Sequence, residues 1–301
     1  MLKRRDDSST QAQRAARPPP LAALCRHALR DTIRATFIAA FAMPSELLTQ
    51  RHGATLVLTL SDPATRNTLS PQASAAGVEA LNVADSSDEI RCVVLRGDGA
   101  HFCSGGNLQR LAHTRTVGPD AQRQSIEHFH GFIEALRSFP KPVIAAVEGY
   151  AAGGGFSLAL ACDLVVAAED AKFVMSYAKV GLSPDGGGSW HLAQQLPRAL
   201  VLQMLWLAEP LTARQLQPYG LVNQVVPSGQ AEAEALKLAE RLSAMSPDAI
   251  ASAKELVNLA SQRRLRDQLD AEREHFVHNL FADNGGEGLQ AFFDKRAPRF
   301  R

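Results

Sequence analysis

Two glycine-rich segments, each directly after a β-rich apolar run, most constrain what this chain can fold into. The first segment is Gly97–Leu108, which follows Ile90–Leu95, and the second begins at Glu148, directly after Val143–Val147. Short apolar runs bounded by glycine are typical of buried strands. Because glycine lets the backbone turn sharply and approach a ligand closely, both segments are predicted to be strand-ending turns.

The apolar pattern along the chain predicts an α/β fold followed by helices. Strands are predicted at Ala54–Leu60, Ile90–Leu95, Val143–Val147 and Leu164–Ala168. Amphipathic patterns separate several of them, as in α/β proteins. After about Pro227 only helical patterns remain, at Ala231–Met245, Asp248–Leu280 and Gly288–Phe293. Residues 113–122 match no motif and are expected to be a loop beside the ligand.

Three regions are predicted: an N-terminal extension (1–42), a core (43–227) and a helical C-terminal lobe (228–301). The extension holds eight lysines and arginines against three aspartates and a triple proline. Either it is an Arg-rich targeting presequence, or it is translated sequence upstream of a start at Met43. The aspartates Asp6, Asp7 and Asp31 favour the second explanation. In both cases the extension is expected to be disordered or loosely helical.

The charge balance argues for a small-molecule substrate. The chain has 32 Lys and Arg against 31 Asp and Glu, so no strong field favours nucleic acid or a membrane surface. No uncharged apolar run is long enough to predict a membrane span. The four cysteines lack metal-ligand spacing, which predicts no metal site and favours reduced thiols in the cytoplasm.

The second glycine segment carries the clearer chemical signal. An apolar stretch continues past Gly153, Gly154 and Gly155, so their N–H groups are predicted to lie at a helix N-terminus, where they suit an anion. Neither segment is a dinucleotide fingerprint or a phosphate-binding loop. Taken singly, each could serve only as a turn or a close packing contact.

The combination of the two segments is far more specific. It consists of FCSGGNL at 102–108 and KPVIAAVEGYAAGGGFSLALACD at 141–163. This pair resembles the two oxyanion-hole segments of the crotonase (enoyl-CoA hydratase/isomerase) superfamily. The resemblance runs from about Leu47 to the C-terminus and includes ATRNTL at 64–69 and EGLQAFFDKR at 287–296.

The resemblance implies a fold, a substrate and an assembly. The fold is a spiral of ββα units with an all-α C-terminal trimerisation lobe, in a homotrimer or a dimer of trimers. The substrate is an acyl-CoA thioester, so no separate cofactor is implied, and the N–H groups of Gly106 and Gly154 hold the thioester oxygen. The implied CoA contacts are Thr65, Arg66, Asn67, Thr68, Ser104, Gly105, Gly106, Asn107 and Leu108, with Phe292 and Lys295 from a neighbouring subunit.

The sequence departs from the hydratase pattern at two positions. Hydratases of the family use two glutamates, and here the matching residues are Ser157 and Tyr177, which disfavours hydratase activity. One carboxylate remains, Asp185, at the turn where the family's double-bond isomerases hold their acid/base group. The favoured function is therefore a Δ3,Δ2-enoyl-CoA isomerase or a ring-type, 1,2-epoxyphenylacetyl-CoA-like isomerase. Alternatively, Asp185 only caps a helix that begins near Ser189.

Two rival functions stay open. His130, together with Asp185 and Tyr177, resembles the site of 4-chlorobenzoyl-CoA dehalogenase, although a tyrosine replaces the tryptophan found there. His130 could equally be an ordinary residue of a half-buried helix face. The second rival is a non-catalytic member of the superfamily that keeps the fold and the CoA pocket but has lost its chemistry. Asp163 is predicted to be a structural hydrogen-bonding residue rather than a catalyst.

Overall fold

The computed structural model describes residues 45–301, so the predicted extension of residues 1–42 lies outside the described residues. The strands are β1 Glu46–His52, β2 Thr55–Ser61, β3 Cys92–Gly97, β4 Val143–Val147, β5 Tyr150–Ala152, β6 Leu164–Ala168, β7 Lys172–Val174, β8 Leu211–Thr212 and β9 Gln224–Val226. The helices are α1 Pro71–Asp85, α2 Leu108–Val117, α3 Pro119–Ser138, α4 Gly154–Ala161, α5 Gly188–Gln195, α6 Arg198–Leu207, α7 Ala213–Leu216, α8 Ala231–Ser243, α9 Pro247–Ala260, α10 Leu265–Phe281 and α11 Asp283–Asp294. Short 3-10 turns occupy Pro63–Thr65, Ser176–Val180 and Gln217–Tyr219.

The strands form two sheets that the chain visits in turn. The larger sheet has the order β1-β2-β3-β4-β6-β9, and the smaller has the order β5-β7-β8. β1 runs antiparallel to β2, and the other strands of the larger sheet are parallel. β4 of the larger sheet is followed directly by β5 of the smaller sheet, and β6 is followed in the same way by β7. Each of these pairs of consecutive strands therefore adds one strand to each sheet. This alternation is the predicted spiral of ββα units.

The two faces of the larger sheet are buried against different helices because side chains alternate along each strand. One face includes Leu95, Val147 and Val165 and belongs to the main core with α1, α3 and α4. The opposite face packs against Ala231, Ala235 and Ala239 of α8. Alanine at this spacing forms one stripe of a helix and lets it lie close to the sheet. A sheet buried on both faces fits the near-continuous apolar runs of its parallel strands.

The four predicted strands of the larger sheet are present, with bounds shifted by up to two residues. The expected loop at 113–122 is wrong: α2 extends to Val117 and α3 begins at Pro119. Gly118, with φ 137°, separates the two helices, and proline is favoured in the first turn of a helix. The helical stretch predicted at 248–280 is two helices, α9 and α10, interrupted at 261–264.

A partly buried ion pair joins α9, one of the C-terminal helices, to the larger sheet. Lys254 Nζ of α9 lies 2.7 Å from Asp163 Oδ2, and the same oxygen accepts the Val143 N–H at 2.8 Å. Lys254 also donates to the carbonyls of Leu136 and Lys141. Burial raises the pKa of Asp163, and the charge of Lys254 opposes that rise. The predicted structural role of Asp163 is confirmed. Across residues 45–301, no helix combines the length and apolarity needed to cross a membrane.

Candidate active site

The two glycine-rich turns meet at one edge of the larger sheet. β3 and β4 are parallel neighbours, so the turns that follow them leave the sheet at the same side, where open α/β sheets bind ligands. Backbone hydrogen bonds join the turns: the Cys103 N–H donates to Tyr150 O at 3.0 Å, and the Ala152 N–H donates to Cys103 O at 2.9 Å. Although the two turns are far apart in the sequence, these hydrogen bonds hold them side by side in the structure.

Two glycines are required where the turns meet, Gly105 by the close approach and Gly153 by its backbone conformation. Gly105 has φ 84°, and a Cβ there would lie 2.6 Å from Ala152 O and 3.0 Å from the Gly154 nitrogen. Gly153 has φ 53° and donates its N–H to Val174 O at 2.8 Å. Such backbone conformations are unfavourable for other residues. The glycines thus bring the first turn against the start of α4.

Gly106 and Gly154 each present an N–H group that the fold does not use. Gly154 is the first residue of α4, as predicted, and the first N–H groups of a helix have no partner within it. Gly106 pairs with Leu69 as an isolated bridge, in which the Leu69 N–H donates to Gly105 O at 2.8 Å. Within residues 45–301 neither N–H has a hydrogen-bond acceptor. Unpaired backbone N–H groups of this kind are the donors from which oxyanion holes are built.

The segment implied to contact CoA lies against the first turn. Ser104 donates its N–H to Arg66 O at 2.9 Å and its hydroxyl to Thr65 O at 2.8 Å. The Thr65 hydroxyl is 2.8 Å from that of Thr68. The Asn67 side chain is buried and donates to the carbonyls of Asp98 and His101. Asn67 therefore holds the loop together, whereas Arg66 is exposed to solvent.

The residues after Gly106 begin α2. Asn107 caps the helix, with Oδ1 accepting the N–H groups of Gln109 and Arg110 at 3.0 Å each. Leu108 is exposed. Arg110 donates through Nη2 to the carbonyl of Leu69, and burial lowers its pKa. Arg110, which no sequence motif indicates, thus fixes the segment around Leu69 that pairs with Gly106.

Asp185 lies in a turn that three contacts hold in place. The Tyr177 hydroxyl donates to Asp185 Oδ1 at 2.5 Å, and the Ser157 hydroxyl donates to the Asp185 carbonyl at 2.9 Å. The next N–H, of Gly186, donates to His130 Nε2 at 3.4 Å. The structure thus brings Asp185, Tyr177, Ser157 and His130 together. Helix capping by Asp185 is wrong, because α5 has Gly187 at its N-cap and no capping side chain.

Tyr177 remains a neutral hydrogen-bond donor in this cluster. Burial raises the pKa of Tyr177 above that of a free tyrosine, and the negative charge of Asp185 and the hydrogen bond to it raise it further. The Ser157 hydroxyl contributes a weaker effect of opposite sign. The phenol is therefore protonated at any ordinary pH and directs its hydrogen at the carboxylate.

Two apolar residues missing from the predicted site connect its parts. A Cβ on Gly154 would lie 3.4 Å from Leu69 Cδ1 and 3.4 Å from Phe129 Cε1. A Cβ on Gly186 would overlap the same Phe129 ring. The ring of Phe129 therefore lies between Gly154 and the Asp185 turn. The apolar spacing of α3 could have identified Phe129 as buried, but its neighbours come from the fold.

The two residues predicted to reach CoA from a neighbouring subunit lie on the last helix. Phe292 is 78% exposed, and Lys295 ends α11 in a left-handed conformation with φ 54°. Their action on a neighbouring subunit's CoA stays a prediction. No grouping of three or more His, Cys, Asp or Glu side chains suited to a metal ion occurs among residues 45–301.

Comparison with known proteins covers almost all of the described chain. The family model described as Enoyl-CoA hydratase/isomerase matches residues 50–301. A 1,2-epoxyphenylacetyl-CoA isomerase from Escherichia coli is 36% identical over 247 residues, which are 81% of this chain and 94% of that protein. The enoyl-CoA hydratase EchA19 from Mycobacterium tuberculosis is 35% identical over 85% of this chain and 96% of its own.

Solved structures agree in fold. A crystal structure titled as an enoyl-CoA hydratase from Polaromonas sp. JS666 is 57% identical, with a TM-score of 0.84 over 85% of this chain and 100% of that one. One titled DspI from Pseudomonas aeruginosa is 34% identical, with a TM-score of 0.80 over 87% of this chain and 98% of its own. The predicted crotonase fold, with its helical C-terminal region, is confirmed.

Proposed function

This chain belongs to the enoyl-CoA hydratase/isomerase family, and from that premise we propose that it shifts a double bond within an acyl-CoA thioester. In this proposal Asp185 is the acid/base group. The N–H groups of Gly106 and Gly154 form the oxyanion hole. The reaction needs no cofactor beyond the CoA portion of the substrate.

One observation carries the proposal: Ser157 and Tyr177 both donate hydrogen bonds to Asp185. In the family's hydratases these two positions hold the glutamates that manage water and the α-proton. Here neither side chain is a carboxylate: Tyr177 donates to the carboxylate of Asp185, and Ser157 donates to its backbone carbonyl. The acid/base function is therefore concentrated on Asp185.

The proton balance of the shift suits one carboxylate. Asp185 takes a proton from C2 of a 3-enoyl thioester, and the electron pair moves towards the thioester oxygen to form a dienolate. Gly106 and Gly154 stabilise the charge on that oxygen. Asp185 then returns the same proton to C4, which leaves the double bond between C2 and C3. No water is consumed, and no second base is needed.

The CoA portion is proposed to lie along the edge formed by 65–68 and 104–108. Arg66 is the exposed cation of this edge and suits the phosphates of CoA. The buried Asn67 maintains the edge rather than contacting CoA through its side chain. The acyl portion then extends towards Phe129, Tyr177 and Asp185, beyond the oxyanion hole.

A hydrolytic, dehalogenase-like reaction is the second candidate, because His130 lies at the Asp185 turn. Its Nε2 accepts the Gly186 N–H at 3.4 Å, which favours a proton on Nδ1. That tautomer leaves His130 no free lone pair to activate water, which is why we rank isomerisation first. Hydration ranks lower for the lack of a second carboxylate, although relatives are named as hydratases.

The test is a panel of CoA thioesters given to the wild-type protein, with products identified by mass spectrometry. The panel contains 3-enoyl, 2-enoyl, ring-epoxide and 4-halobenzoyl thioesters. We expect the 3-enoyl or the epoxide compound to isomerise at unchanged mass. Halide release would favour the hydrolytic candidate and hydration of the 2-enoyl compound the hydratase. Binding of every thioester without turnover would indicate a non-catalytic protein.

We also propose that the chain assembles as a homotrimer, alone or in a dimer of trimers. The apolar side chains of α10 and α11 support this, because several are exposed in the single chain: Phe276, Phe281, Leu289, Phe292 and Phe293. Light scattering on the purified protein is expected to give three or six times the mass of one chain. A monomer would contradict both the trimer and the shared CoA site.

A further inference from the structure

We infer that Tyr177 is a positioning residue that occupies Oδ1 of Asp185 and leaves Oδ2 as the single oxygen that takes and returns the proton. The inference rests on the proposed function and extends it by explaining how the carboxylate of Asp185 is oriented. It comes from the contacts of Tyr177 and Asp185, which give the two carboxylate oxygens different surroundings.

The two oxygens of Asp185 are not equivalent. Oδ1 accepts the phenol hydrogen at 2.5 Å, whereas Oδ2 has no hydrogen-bond donor within residues 45–301. The backbone on either side of the carboxylate is also fixed, by Ser157 on the carbonyl and His130 on the next N–H. A carboxylate held at one oxygen and along its backbone cannot rotate to exchange its oxygens without breaking the phenol bond.

The Tyr177 ring has its own support beside the oxyanion hole. A Cβ on Gly153 would lie 3.6 Å from Tyr177 Cζ, and Gly153 directly precedes the oxyanion residue Gly154. The phenol therefore links the oxyanion hole to the acid/base carboxylate by packing at one end and hydrogen bonding at the other. Removal or alteration of the phenol is expected to change the orientation of Oδ2 relative to a bound thioester.

Within residues 45–301, the other ionisable groups around the turn form no hydrogen bond to the Asp185 carboxylate. His130 faces the turn from α3, and His191 of α5 lies beside Gly187. Burial lowers the pKa of His191 to about 4, with the nearby charge of Arg137 acting in the same direction. His191 is thus neutral near pH 7. The guanidinium carbon of Arg137 lies over the Trp190 ring, 5.7 Å from its centroid. Tyr177 is the donor that contacts the carboxylate itself.

The transfer of the proton through Oδ2 alone has a stereochemical consequence. The proton leaves C2 and returns to C4 on the same face of the planar dienolate, because Oδ2 lies on one side of it. Hydration across the double bond requires a group to activate water while another manages the α-proton. With Oδ1 blocked by a phenol that does not ionise, this site lacks that second group.

The test is Tyr177→Phe, assayed for isomerase activity between pH 5 and pH 9. Loss of a hydrogen bond to the charged carboxylate favours its protonated form, so the low-pH limb of kcat is expected to move up by about one pH unit. We expect kcat at the optimum to fall on the order of tenfold with KM nearly unchanged, because orientation is lost while binding contacts remain. Tyr219→Phe, at an exposed tyrosine of another turn, is the matched control.

A low-pH limb that stays in place in Tyr177→Phe would overturn the inference, whatever happens to kcat. Replacing Tyr177 by 3-fluorotyrosine supplies the opposite change, because the fluorine makes the phenol a more acidic and stronger donor while the ring keeps nearly the same size. It is expected to move the limb to lower pH, and it answers the question even where the phenylalanine variant does not fold. A shift in the same direction for both substitutions would also contradict the inference.

Asp185→Asn, assayed in parallel, separates this inference from the proposed function. If that variant retains isomerase activity, the acid/base role that the proposed function gives to Asp185 is wrong, and the positioning role of Tyr177 loses its basis with it. If the asparagine variant is inactive and the Tyr177→Phe profile is unmoved, only the positioning role of Tyr177 is wrong.

Discussion

Asp185→Asn is expected to lower isomerase kcat by about 10³-fold, the middle of the range for loss of a general acid/base group. The amide has nearly the shape of the carboxylate and can still accept the Tyr177 hydrogen bond through its oxygen. It cannot take a proton from carbon at any useful rate. Steady-state kinetics with a 3-enoyl thioester measures the loss, and thermal unfolding is expected to be almost unchanged.

Asp170→Asn is the control for this experiment, because Asp170 is exposed in a turn after β6. Its kcat and KM are expected to equal those of the wild type. A tenfold or smaller loss in Asp185→Asn would mean that another group removes the α-proton. His130 would then be the next residue to replace, given its contact with the Asp185 turn.

Gly154→Pro is expected to lower kcat/KM by about 10²- to 10³-fold, the usual cost of removing one oxyanion-hole donor. Proline lacks the N–H group that would bind the thioester oxygen. Because Gly154 is the first residue of α4, a position where proline is well tolerated, the helix itself is expected to persist. The measurement is kcat/KM, with circular dichroism to verify the helix content.

Gly154→Ala is the matched control, because it adds the same Cβ and retains the N–H. That Cβ would meet Leu69 and Phe129 at 3.4 Å, close to ordinary contact. Its effect on kcat/KM is expected to be less than tenfold. Equal losses in the two variants would contradict the oxyanion role, since they would reflect the added carbon and not the missing donor.

The central part of the fold was predictable from the sequence because it depends on local patterns. β4 and β6 are short, uninterrupted apolar runs, as expected of strands that are buried on both faces of a parallel sheet. Their assignment as strands therefore follows from the apolar sequence itself. The resemblance to the crotonase superfamily supplied the order in which such units assemble. Composition and periodicity alone predicted no more than an α/β class followed by helices.

The elements that were missed have weak local signals. β1 is an edge strand with mostly exposed residues, and it forms through its pairing with β2. The smaller sheet consists of segments of two or three residues, too short for any periodicity. The break between α9 and α10 contains neither glycine nor proline, so tertiary packing and not sequence punctuation sets it.

The site was predictable as a set of residues but not as a geometry. The resemblance to the crotonase superfamily selected Gly106, Gly154, Ser157, Tyr177 and Asp185, and the structure brings the last three into direct hydrogen bonding. No sequence rule states that the residues in the glutamate positions turn towards Asp185. Likewise, Phe129 lies 25 residues before Gly154, and only the fold places its ring beside that glycine.

The central claim is that the protein shifts a double bond without adding water. Its most direct test is to convert a 3-enoyl thioester in water enriched in H₂¹⁸O and to measure the mass of the product by mass spectrometry. An enzyme that moves one proton through Asp185 is expected to give a conjugated 2-enoyl thioester of unchanged elemental composition, without ¹⁸O. A product that gains the mass of water and carries ¹⁸O at C3 would contradict the account, because it would require a water-activating group that the Tyr177–Asp185 pair does not supply.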